Sequence, residues 1–330
     1  GVETPLMDKL VRENPGVKLY KLGTSFYNPL YIYKLRKIIR NYDIIHTHNS
    51  SPQLFVALSG IGQSVALCST EHNTFNRKRD WKWYSPIESW MYGRYDHVIC
   101  ISKIAEQKLR DYLGSDWSLP NAAKYRRIET INNGVDIDRI YSATPVPELL
   151  KQKDNRTAIL MVAGFRPQKD QDTLIRALSR LNRNAYEVWL AGIGERQAEV
   201  EALVESLHLT DRVRFLGLRT DIPNVLKAAD IICMSSHWEG LSLSNVEGMS
   251  AGKPFIASDV NGLREVTKGY GLLFPHEDDK ALAETIERLQ QDADYYKSIA
   301  ERCLLRARQF DIGKMVAGYE AVYHKILSNK

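Results

Sequence analysis

The sequence predicts an α/β protein of two domains, each built on a parallel sheet with crossover helices. Three observations carry this. Short apolar runs alternate with amphipathic stretches along most of the 330 residues. The alternation breaks once, between about residues 119 and 150, where prolines and an Asn-Gly pair cluster. A chain of this length, 44% hydrophobic and 26% charged, has room for two packed cores.

In the first half the apolar runs are Ile44-Ile45, Val65-Ala66-Leu67 and Val98-Ile99-Cys100-Ile101. In the second they are Ala158 to Ala163, Val188 to Ala191, Val213 to Leu216, Ile231 to Met234 and Phe255 to Ala257. Bounded by turn residues, such runs read as strands buried on both faces. Between them lie helical patterns, such as Asp172 to Leu181, with Leu174, Leu178 and Leu181 on one stripe and Asp170 or Asp172 as cap. Strand–helix alternation of this kind makes parallel sheets. Pro120-Asn121, Asn133-Gly134 and Thr144-Pro145-Val146-Pro147 mark a linker. The expected domains are residues 1–139 and 140–310, followed by a C-terminal helix in 311–330.

Composition narrows the function classes. No run of eighteen apolar residues is present, so no membrane-spanning helix is expected, and no signal peptide is visible. Cys68, Cys100, Cys233 and Cys303 are far apart, without the spacing of a zinc site. Their use fits a reducing cytoplasm. A net charge of +5 is too small to argue for nucleic acid, but it suits anionic partners such as sugar nucleotides or acidic lipid surfaces.

The strongest chemical signal is a pair of glutamates eight apart. Residues Ile231 to Glu247 read as strand, loop and helix, with Glu239 ending the loop and Glu247 on the helix stripe that should be apolar. A carboxylate there is costly unless it is hydrogen-bonded, and the two hydroxyls of a ribose diol are suitable donors. The helix start offers free amides to a phosphate or sugar oxygen. The spacing alone fits equally a partly exposed glutamate and a capping one. Location favours function, since ligands of such sheets bind beyond the carboxyl ends of the strands.

The Glu239-x7-Glu247 pair, in the form Glu239-Gly240-Leu241-Ser242, resembles the signature of glycosyltransferase family 4. Ala251 to Ser258, Asn261 to Glu265 and Asn132 to Asp136 are similar to that family too, and the resemblance runs from about Asp43 to Phe274. The stretch Thr70-Glu71-His72-Asn73 with Arg77-Lys78-Arg79 looks most like enzymes that build surface polysaccharides. The resemblance implies a GT-B fold: two Rossmann-like domains whose parallel sheets face a central cleft. It implies that Glu247 holds the donor ribose and that Glu239 contacts the donor sugar. It also implies that the amides of Gly240, Leu241, Ser242 and Leu243 surround the sugar and phosphates.

Met161 to Asp170 follows one strand and precedes a helix, and Arg166 and Lys169 oppose that helix's dipole. They make sense if a dianion sits there. Solvated surface cations are the ordinary alternative. The family carries a phosphate-binding arginine five residues before the lysine. That slot is Gly164, and Arg166, two residues on, is read as supplying the guanidinium. Gly192 and Gly194, in a Gly-x-Gly turn after the next strand, are assigned to the donor side by the resemblance. A tight turn would need glycine anyway.

In the first domain His46, His48 and His72 each follow a predicted strand. His46 and His48 are read as pointing to opposite faces, so no metal site is expected. The resemblance places His72 near the donor sugar, whereas a histidine bonded to a neighbouring carbonyl is the structural alternative. Arg77 to Tyr84 mixes cations with aromatics, and Leu30 to Arg40 forms a basic amphipathic helix. Both could meet lipid headgroups or simply be solvated faces. The family begins with a strand, a glycine-rich loop and a helix, and nothing before Tyr20 looks like that unit.

These readings imply a retaining, metal-independent transferase that moves a sugar from a nucleotide sugar, with a UDP-sugar favoured, to a glycan or lipid-linked acceptor. No cofactor and no nucleic-acid partner are expected, and a cytoplasmic enzyme peripheral to the inner membrane face is. The alternatives are a sugar-nucleotide epimerase of GT-B architecture and an inactive nucleotide-sugar-binding domain.

Overall fold

The structure, a computed structural model, describes residues 5–25, 28–48, 50–72, 77–81, 83–153, 155–239 and 243–328. The chain divides into two compact units, one of residues 1–132 with 317–330 and one of residues 133–316.

The first unit holds strands β1 (Ile44–His48), β2 (Ala66–Glu71), β3 (His97–Cys100) and β4 (Ile128–Thr130). They form one parallel sheet in that order. Every residue of β2 and β3 is buried, including the polar Ser69, Thr70 and Glu71 that lie beyond the apolar run of β2. One face packs on Val56, Met91, Tyr92, Leu109 and Trp117. The other is covered by the C-terminal helix Ile312–Ser328, whose Val322 and Ile326 sit on Ala66, Cys68 and Ile99. Strand β4 falls inside the span that punctuation marks as linker. It is three residues long, and its pairing with β3 rather than an apolar run makes it a strand. Among the described residues the helices Pro5–Glu13 and Leu30–Ile39 precede β1, and no strand does.

The second unit holds β5 (Thr157–Val162), β6 (Tyr186–Ala191), β7 (Val213–Gly217), β8 (Ile231–Met234), β9 (Phe255–Ser258) and β10 (Leu272–Phe274). The sheet order is β10-β9-β8-β5-β6-β7, all parallel. The chain therefore winds outward from β5 through β7, then returns to lay β8 on the opposite side of β5. Connections leaving β5 and β8 diverge, which opens a crevice at the carboxyl ends of these two strands. The helix after β5 runs Gln171–Arg180. Asp170 is its cap, accepting from the Thr173 amide at 3.2 Å, and Leu181 lies just past its end.

The helix Leu243–Ser250 lies close on this sheet because Gly248 has no side chain. A Cβ there would stand 2.6 Å from Phe255 Cε2 and 2.9 Å from Ile232 Cγ2. Gly248→Ala is therefore expected to destabilise the chain by about 1–3 kcal/mol through overpacking, read as a lower denaturant midpoint. Gly93→Ala, whose new Cβ would meet nothing within 4 Å, is expected to leave the midpoint unchanged or raise it.

Candidate active site

At the reversal point the loops after β5 and β8 are stitched together. Gln168 Nε2 donates to the Trp238 carbonyl at 2.8 Å and to Glu239 Oε2 at 3.2 Å. The His237 amide donates to the Gln168 carbonyl at 2.8 Å, and Ser235 Oγ to the Asp170 carbonyl at 2.6 Å. Within this lattice the Lys169 ammonium is paired directly with Glu239 Oε1, which also accepts from Ser236 Oγ at 2.8 Å. The pair is largely sheltered, with side chains 17% and 7% exposed. The sequence assigns Lys169 to phosphate and Glu239 to sugar as separate contacts, and the structure brings the two into one ion pair. An ammonium has three donors, so Lys169 keeps capacity for a further acceptor.

Glu247 stands in the opposite condition. It is half-buried on the helix Leu243–Ser250, and its carboxylate accepts no hydrogen bond from any described residue. Burial raises its pKa above the ordinary carboxylate range. It faces a hollow of about 320 Å³ lined also by Gly134, Asp136, Arg139, Thr220 and Leu243. Arg139 and Thr220 escape the sequence reading, although the Asn132 to Asp136 similarity ends only three residues before Arg139.

A second hollow of about 380 Å³ is lined by Gly164, Arg166, Gly192, Ile193, Ile222 and Ser244. Ile222 borders both hollows, and so does the start of the Leu243–Ser250 helix. Arg166 Nε lies 3.8 Å from the point that a Cβ on Gly164 would occupy. The guanidinium thus reaches the neighbourhood of the slot where the family carries its arginine. A Cβ on Gly192 would stand 2.1 Å from the Ala163 carbonyl oxygen, and one on Gly194 2.3 Å from that of Phe165. Both glycines let the loop after β6 pass against the loop after β5. Gly192 lines the hollow, and Gly194 is not among its lining residues. Gly240, Leu241 and Ser242 lie outside the described residues, while Leu243 opens the described helix.

In the first unit His72 is half-buried, with its Nε2 2.9 Å from His48 Nδ1. The expectation that His46 and His48 diverge is wrong. Side chains two apart on a strand share a face, and these rings stack with centroids 4.5 Å apart. His46 is fixed by Tyr323 Oη at 2.6 Å and Thr70 Oγ1 at 2.7 Å. Burial, then the neighbouring His48 and His72, depresses its pKa to about 4. Burial likewise lowers His48 and His72, so the cluster is uncharged at neutral pH.

The basic loop also needs correction. Arg79 is largely sheltered, its side chain 10% exposed, and donates to buried Glu71 Oε2 at 3.0 Å and to Tyr92 Oη at 3.2 Å. The side chains of Arg77 and Lys78, with Asn73 and Lys82, lie outside what is described. Trp81 and Trp83 are exposed and stacked, with centroids 5.7 Å apart. On the helix Leu30–Ile39, Ile39 is buried while Lys34 donates to the Leu22 carbonyl at 2.9 Å and Lys37 sits over the Tyr33 ring. Among the described residues no helix is long and apolar enough to cross a membrane.

Comparison with known proteins gives the family and the fold. Residues 3–139 match the family described as Glycosyltransferase Family 4, and residues 147–304 match Glycosyl transferases group 1. The chain is 24% identical over 298 residues to N-acetyl-alpha-D-glucosaminyl L-malate synthase of Bacillus anthracis, covering 87% of this chain and 76% of that one. It is 26% identical over 327 residues to UDP-Gal:alpha-D-GlcNAc-diphosphoundecaprenol alpha-1,3-galactosyltransferase of Escherichia coli, covering 91% and 79%. The fold is that of Anabaena Alr3699/HepE, solved in complex with UDP, with a TM-score of 0.82 at 21% identity over 98% of this chain and 90% of that one. With matches running from residue 3 to residue 139 and from residue 147 to residue 304, on two parallel sheets of the GT-B kind, the chain belongs to glycosyltransferase family 4 and transfers sugar from a nucleotide sugar.

Proposed function

We propose that the enzyme is a retaining transferase that takes its sugar from a UDP-sugar and delivers it to a glycan or lipid-linked acceptor in surface-polysaccharide synthesis. The observation that carries the donor side is Glu247, a carboxylate with no hydrogen-bond partner among the described residues, facing a hollow at the carboxyl edge of the sheet. A vicinal diol supplies the two donors that it lacks. The name of the Escherichia coli relative gives a UDP-sugar donor and a lipid diphosphate acceptor, and the Anabaena structure holds UDP.

In this reading Glu247 binds the ribose hydroxyls. Arg166 and Lys169 face the pyrophosphate, and Gly192 lines the hollow that holds Arg166. These cations carry the developing charge of the leaving diphosphate, so the reaction does not depend on a metal there. Glu239, oriented by Lys169, Gln168 and Ser236, meets the donor sugar. His72 is assigned to the transferred sugar by the resemblance of Thr70-Glu71-His72. The leaving phosphate takes the acceptor's proton as the acceptor attacks on the same face. Exposed Trp81 and Trp83 suit a headgroup layer, as a lipid-linked acceptor at the inner membrane face requires.

Hydrogen bonds to a charged group contribute about 1.5–3 kcal/mol, so Glu247→Ala is expected to weaken UDP binding at least about tenfold in calorimetric titration. Unchanged affinity would remove the ribose assignment. With EDTA present, the product's anomeric proton coupling is expected to show the donor's configuration, and inversion or a strict need for divalent metal would refute the mechanism.

The raised pKa of Glu247 also has a stability signature. With its pKa raised, the folded chain keeps the Glu247 proton to higher pH than the unfolded chain does. As pH rises from the ordinary carboxylate range through the raised value, this group therefore lowers stability. Without ligand, Glu247→Gln is expected to melt above the wild type near neutral pH. The gap should close below about pH 4, where both states hold the proton.

A further inference from the structure

Beside the donor loops, and outside the roles assigned above, three side chains from the ends of β8 and β10 converge. His237 Nδ1 lies 2.8 Å from His276 Nε2, with the rings perpendicular. Glu277 Oε1 is 3.2 Å from His237 Nδ1 and 3.8 Å from His276 Nε2. All three ligand atoms thus lie within reach of one ion. A triangle with these sides has its corners about 1.9 Å from a common centre, so an ion just above the plane stands about 2.0–2.1 Å from each atom. That is the bond length of zinc to histidine nitrogen and carboxylate oxygen.

The surroundings favour a cation. Asp170 Oδ2, from the loop after β5, is 3.9 Å from His237 Nδ1 and adds a second carboxylate. Three non-glycine residues have left-handed backbone among the described residues, and Asp170 (φ 47°) and Glu277 (φ 62°) are two of them. Strained backbone of this kind gathers at places where side chains must be aimed. A hollow of about 430 Å³ opens beside His237 and Glu277 and gives water access to the remaining coordination position. Two arginines also line it, Arg196, neutralised by Asp172 at 3.0 Å and Glu199 at 2.7 Å, and Arg176, against the three carboxylates Asp170, Asp172 and Glu277 of the same lining.

We propose that His237, His276 and Glu277 bind a divalent transition metal of the zinc class, with water completing the shell and Asp170 as the outer carboxylate. Two imidazole nitrogens and one carboxylate select zinc-like ions over magnesium or calcium, which take oxygen ligands. The expectation that the chain has no metal site rests on spacing along the sequence. His237 and His276 stand 39 positions apart and meet only because parallel strands end on one edge. The metal would tie the loop after β8 to the loop after β10. His237 is two residues before Glu239, and Asp170 follows Lys169, so occupancy steadies the Lys169–Glu239 pair without entering the transfer step. Metal binding itself does not depend on the donor assignment.

The test is titration of the EDTA-stripped and dialysed full chain with cobalt(II) chloride, followed by visible absorption, then by zinc chloride and, separately, magnesium chloride. One equivalent of cobalt is expected to give d–d absorption that zinc abolishes and magnesium does not. His276→Ala and Glu277→Gln, at exposed positions, should keep the wild-type circular dichroism and melting temperature without metal. They should lose at least about tenfold in zinc affinity, together with the zinc-induced rise in melting temperature. The proposal is overturned if the wild type shows no stoichiometric binding or if both variants titrate like the wild type. It is also overturned if the signal survives in them and disappears in His48→Ala or His72→Ala, which would move the metal to the other histidine cluster.

Discussion

Reversal of strand order between β5 and β8 is the constraint from which the second unit's chemistry follows. Parallel strands bring all their carboxyl ends to one edge, and the reversal sends the two central connections apart. The chain fills the opening with short polar segments that must satisfy one another. Gln168, Lys169 and Asp170 from one side meet Ser235 to Glu239 from the other through backbone and side-chain hydrogen bonds.

The two glutamates show how differently one segment can treat the same side chain. Glu239 is matched by an ammonium, a hydroxyl and an amide, so its charge is settled before any ligand arrives. Glu247, eight positions later, accepts no hydrogen bond from any described residue. A half-buried carboxylate without donors among the described residues lowers stability, and its retention fits a position where binding rather than folding sets the residue.

Much of this was legible in the sequence, for identifiable reasons. Apolar runs of central strands such as Ile231 to Met234 declare themselves because both faces are covered. Strands β4 and β10 do not, being three residues long and made by pairing at the sheet edge. Glu247 stood out because a charge interrupts an apolar stripe. Partnerships were harder to see than residues. Lys169 and Glu239 are both visible locally, but their contact spans 70 positions, and Arg79 reads as a surface cation until folding places Glu71 and Tyr92 against it. The His46–His48 error was one of geometry rather than information, since alternate positions on a strand share a face.

The helix Ile312–Ser328 carries a consequence for biosynthesis. Its last turns supply Val322 and Ile326 to one face of the first sheet, whose strands all lie before residue 131. A nascent chain leaving the ribosome amino end first therefore exposes Ala66, Cys68 and Ile99 while the whole second unit is being translated. The earliest sheet to emerge is the last to be sealed. Premature termination anywhere before this helix would release a polypeptide with an uncovered apolar sheet face, a substrate for chaperones or for aggregation.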